Sequence, residues 1–75
     1  TEQGIFLPGG EYKRPDRIIY YQKEIAVVDF KTGEKRAAHA SQVLEYVKLV
    51  KDIEKGKPVK GYICYIESST IEKVV

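Results

Sequence analysis

The chain has no tryptophan, no methionine, one cysteine, one histidine and three prolines. A single cysteine excludes an intrachain disulfide and any cysteine-only metal cluster. Cys64 sits in the apolar run Tyr62-Ile-Cys-Tyr-Ile66 and reads as a small buried hydrophobe in a reducing compartment, so a cytoplasmic location is expected. With His39 as the sole histidine, a His-rich zinc site is excluded. No apolar run approaches the length of a membrane span and no signal peptide is visible, so no membrane partner is expected. A Gly-x-x-x-x-Gly-Lys-Ser/Thr loop is missing, so the chain is not itself an NTPase. A serine nucleophile elbow is missing as well. Nor is there a large excess of one charge. A net charge of +2 is compatible with nucleic acid but does not argue for it alone.

What remains is an ordinary globular composition. The 75 residues are 43% hydrophobic and 32% charged, which suits one small domain with a modest core. Ile5-Phe-Leu7 is a short apolar run stopped by the turn signal Pro8-Gly9-Gly10. Arg17 to Tyr21 and Ile25 to Lys31 read as the arms of a β-hairpin turning at Gln22-Lys23. From about Ala37 to Lys55 the period changes. Val43, Val47, Val50 and Glu54 make one row, and Gln42, Tyr46, Leu49 and Ile53 make the next, at helical spacing. Gly56 and Pro58 end that helix. Val59 to Ile66 reads as a strand, Ser68-Ser69 as a turn, and Thr70 to Val75 as a last short strand. The expected order is β-β-β-α-β-β, an α+β or α/β plan with one helix packed on a mixed sheet. The strand after the helix is expected to pair parallel to the strand holding Asp29.

The hairpin carries the chemistry. Asp16 stands just before the first arm, and Asp29-Phe30-Lys31 closes the second. Residues two apart in a strand share a face, so Asp29 and Lys31 point the same way, while Val28 and Phe30 point into whatever covers the other face. Pairing the arms brings Asp16 close to Asp29. Two carboxylates and one ammonium on a small patch can hold a hard divalent cation and act on a water beside it. Each residue also has a bland reading. Asp16 would be a turn aspartate after proline. Asp29 and Lys31 would mark the strand's emergence into water. On the helix, Gln42 and Tyr46 lie one turn apart and either face the same patch or serve as stripe end and core. His39, one turn before Val43, reaches the same cleft or is a surface histidine. Lys35 and Arg36 precede the helix, where cations and backbone amides meet phosphates, or are solvated loop charges. The six tyrosines mostly fall on alternating strand positions and read as half-buried sheet residues.

Asp16, then Asp29-Phe-Lys31-Thr-Gly33, then a helix with Gln42-Val-Leu-Glu-Tyr46, resembles the PD-(D/E)xK nuclease superfamily. In particular it resembles the RecB-like nuclease domain at the C-terminus of AddA- and RecB-type helicase–nucleases. The likeness runs from about Arg14 to Ile66 and rests on the order of short pieces. It implies a restriction-endonuclease-like core with residues 1–75 as one domain. It implies Asp16, Asp29 and the Phe30 carbonyl as ligands of Mg2+ (or Mn2+), Lys31 as the catalytic lysine, and Gln42 and Tyr46 as DNA-positioning residues. The implied partners are DNA and a helicase portion of the same polypeptide. The implied activity is metal-dependent exonuclease action in DNA end processing and recombinational repair. One feature departs from the family: only Glu2 and Glu11 precede Pro15, and neither lies on a convincing helix carrying the usual upstream acid. A core truncated at its N-terminus is therefore expected, with open sheet edges through which two copies could pair. Two alternatives stand beside this. One is a catalytically silent nuclease-fold module that binds DNA or a protein. The other is a small interaction domain in which Asp16 and Asp29 do not converge.

Overall fold

The computed structural model describes residues 15–75 throughout and, before them, the backbone of Ile5–Phe6 and Tyr12–Lys13. The elements in chain order are β1 (Ile5–Phe6), β2 (Tyr12–Lys13), β3 (Arg17–Tyr20), β4 (Ile25–Lys31), α1 (Ala37–Ile53), β5 (Val59–Tyr65) and β6 (Thr70–Lys73). β3, β4, β5 and β6 form one four-stranded mixed sheet in that spatial order. β3–β4 and β5–β6 are antiparallel hairpins, and β4–β5 are parallel, joined by the crossover through α1.

This corrects the expected strand order. The main sheet is built β-β-α-β-β, and the Ile5–Phe6 run does not join it. Instead β1 pairs antiparallel with β2, Ile5 opposite Lys13 and Phe6 opposite Tyr12, in a separate two-stranded ribbon. Closing a short local loop costs less chain entropy than carrying a two-residue strand to a distant sheet edge. Pro8-Gly9-Gly10, Leu7 and Glu11 lie outside the described residues.

The other elements follow the sequence closely. Alternation along β4 and β5 sends Ile25, Val27, Val59 and Ile63 toward α1, and all four are buried. The helix answers with Val43, Tyr46, Val47 and Val50. The Tyr21 N–H donates to the Glu24 carbonyl at 2.9 Å, closing the β3–β4 turn. Lys57 Nζ donates to the Tyr21 carbonyl at 2.8 Å and ties that turn to the α1–β5 loop. The helix stops at Ile53, before Gly56 is reached, on an extended Glu54. The expectation for Phe30 is not met: Val28 is buried, but Phe30, nearer the strand end, is 42% exposed. Among the described residues no helix is long and apolar enough to cross a membrane.

Candidate active site

Pro15 is fully buried, and its fixed φ delivers Asp16 to the start of β3 at a set angle. The antiparallel register pairs Arg17 with Val28, so Asp16 stands beside the Asp29–Phe30 step of β4. There the Phe30 N–H donates to Asp16 Oδ2 at 2.8 Å. Asp16 thus has a structural task, extending the β3–β4 ladder by a side-chain bond after the backbone ladder ends.

Asp29 lies on the helix side of β4 and is only 5% exposed. The Lys31 ammonium is 3.0 Å from Asp29 Oδ2, yet it is not aligned for a hydrogen bond, and Oδ2 has no other partner. Burial pushes the Asp29 carboxyl above its ordinary range, and the neighbouring Asp16 carboxyl pushes the same way; Lys31 opposes both. Lys31 also donates to Gln42 Oε1 at 3.1 Å, which joins strand end to helix. One ammonium therefore spans a buried acid and a helix amide, with its own side chain 25% exposed.

Asp16, Asp29, Lys31 and Gln42 come together. Their meeting goes against the interaction-domain alternative, in which the two aspartates stay apart. Tyr46, one turn on from Gln42, is buried in the core cluster with Val43 and Val47. Lys35 pairs with Glu72 at 3.1 Å, and Arg36 is exposed at the start of α1.

The donor set suits magnesium in part. The exposed Asp16 and the buried Asp29 repel at close range, and a cation relieves both that repulsion and the desolvation of Asp29. The unbonded Asp29 Oδ2, the second Asp16 oxygen and the Phe30 carbonyl are oxygen donors of the kind magnesium takes while keeping several waters. Among the described residues no cluster of three or more acidic, histidine or cysteine side chains accompanies them.

One pairing escaped the sequence reading. Tyr65, the register partner of Lys31 in the parallel ladder, is buried with its hydroxyl 3.2 Å from His39 Nδ1. The available signal was the alternation of β5, which puts Tyr65 on the helix face with Ile63. No protein-family model, no curated protein and no solved structure matches this chain.

Proposed function

We propose that the chain is the core of a magnesium-dependent DNA exonuclease of the PD-(D/E)xK, RecB-like kind, working with a helicase portion of the same polypeptide in DNA end processing and recombinational repair. The observation that carries the reading is the meeting of Asp16, Asp29 and Lys31, three residues singled out by pattern, one from the bend before β3 and two from the end of β4. Asp16 and Asp29 would hold the ion, with the Phe30 carbonyl beside them. A bound magnesium ion supplies Lewis-acid polarisation of the phosphodiester. Lys31 orients the attacking water and stabilises charge developing on the scissile phosphate. Gln42 fixes the Lys31 ammonium at 3.1 Å, so that it need not be ordered during the reaction. The exposed Arg36, with the first backbone amides of α1, would meet neighbouring phosphates, and Lys35 would do so on leaving Glu72.

The test is cleavage of linear and covalently closed DNA in Mg2+ or Mn2+. The exonuclease reading predicts that linear DNA is degraded, closed circles are spared, and chelation stops the reaction. Asp29→Ala or Lys31→Ala abolishes cleavage with the fold retained. A second reading, a silent nuclease-fold module that binds DNA or a protein, is favoured by one observation: Asp16 Oδ2 already serves the Phe30 N–H. It predicts DNA binding that survives Asp16→Ala and Lys31→Ala, with no metal-dependent cleavage.

A further inference from the structure

Helix α1 begins without a side-chain cap, held locally by the His39 N–H donating to the Arg36 carbonyl at 3.0 Å. Its N-cap residue, Arg36, makes no side-chain capping bond, and no acid lies in the first turn. Uncapped first turns fray. Yet this is the turn that leads directly into Gln42, the residue holding Lys31. A side-chain bond from the sheet adds to that local support.

His39 is the anchor that the geometry offers. It lies three positions before Gln42, on the neighbouring part of the same helix face. Its Nδ1 is 3.2 Å from the Tyr65 hydroxyl, and the two rings stand 5.8 Å apart at 42°. Tyr65 ends β5 and is itself fixed: its ring is buried, and Lys31 is its partner in the parallel ladder. The Ile66 N–H donates to the Lys31 carbonyl at 2.9 Å, so the two strand ends stay registered there. Two side-chain bonds therefore cross the same gap between helix and sheet. Gln42–Lys31 reaches β4, and His39–Tyr65 reaches β5. The Lys35 ammonium also lies 6.0 Å from the Tyr65 ring centroid, and Lys35 is tied to Glu72 of β6.

We propose that Tyr65 and His39 are positioning residues for Lys31: their bond fixes the first turn of α1 against the end of β5, and through Gln42 it fixes the Lys31 ammonium. The effect on rate rests on the nuclease reading of Lys31; the brace does not. If Tyr65 were only core filler, its ring would do all the work and its hydroxyl none.

Tyr65→Phe keeps the ring and removes the hydroxyl. His39→Ala removes the other half, and His39→Asn restores a polar group close to the backbone. Each is compared with the parent chain by thermal unfolding, by kcat and KM on linear DNA, and by the side-chain resonances of Gln42 and Lys31 at one fixed pH without metal or DNA. The expected result for either single change is a kcat lower by about tenfold, as misplacement of a reacting group gives, with KM held within about twofold. The Gln42 carboxamide resonances shift in both. The double variant is no worse than the single ones, because each removes the same bond. His39→Asn regains part of both signals. The proposal is overturned if Tyr65→Phe folds normally with Gln42 and Lys31 resonances unmoved, or if the two losses multiply. If the parent chain cleaves no DNA, the nuclease reading fails, and the Gln42 and Lys31 resonances alone decide the brace.

Discussion

At the scale of single residues, Asp29 stands out because the fold would be better off without its charge. A carboxylate taken out of water with an unbonded oxygen lowers stability unless something compensates. Lys31 compensates in part, and the carboxyl still titrates above its ordinary range. The sign follows from linkage. A raised folded pKa means that the folded state holds the proton more tightly than the unfolded chain does. Stability is then highest below the ordinary carboxylate range and falls as pH rises through the folded value. Asp29→Asn should accordingly raise the Tm at pH 7 by a few degrees, and its advantage should shrink as the pH is lowered toward 4. Thermal scans of both proteins across that range check this. An asparagine protein less stable than the parent at pH 7 would mean that the Lys31 pair outweighs burial. The signal for Asp29 was visible in the sequence, since an acid interrupting Ile25 to Phe30 must be solvated, paired or used. What Asp16 does for the Phe30 N–H was not visible, because it depends on the register at which the hairpin closes.

At the scale of elements, the site depends on how α1 lies across β4 and β5. Gly61 sets that distance. A Cβ built there would come within 2.6 Å of Val43 Cγ1 and 2.9 Å of Val47 Cγ2, two buried helix side chains. Neither can swing away without disturbing the core. Gly61→Ala should cost about 1–3 kcal/mol through overpacking, read as a lower denaturation midpoint. It should also disturb the Gln42–Lys31 bond, because the helix must lift or slide. Stability unchanged within error would show that the helix–sheet contact is softer than its packing implies. Elements with a strong period were legible: the hairpin, the helix and the parallel β4–β5 pair all form where the pattern put them. Ile5-Phe-Leu7 was not. A run this short has the composition of a strand but carries no information about which partner it will take, and local pairing won. The Tyr65–His39 pair was hidden for a related reason. It joins residues 26 positions apart, and only the parallel register brings them together.

At the scale of the whole molecule, the sheet has two unlike faces. One is covered by α1 and holds the core and the acid–lysine patch. The other carries Ile19, Ala26, Val28, Tyr62, Cys64 and Ile71 around a shallow depression of ≈ 500 Å³. Ile71 is 70% exposed, so it buries little on folding. Ile71→Ser should leave stability within about 0.5 kcal/mol of the parent and, under the proposed nuclease reading, leave metal-dependent cleavage unchanged, since the acid–lysine patch lies on the opposite face. A clear loss of stability in that variant would mean that this face is more deeply packed than its exposure suggests. Under the proposed nuclease reading, Asp16 and Asp29 make a cation site on the covered face. A Mn2+ titration followed by amide NMR tests it most directly, because the ion's paramagnetism broadens only nearby signals. Asp16, Asp29, Phe30 and Lys31 are expected to broaden first and saturably, and Asp29→Asn to abolish the effect. Uniform broadening, or broadening centred elsewhere and indifferent to that substitution, would contradict it.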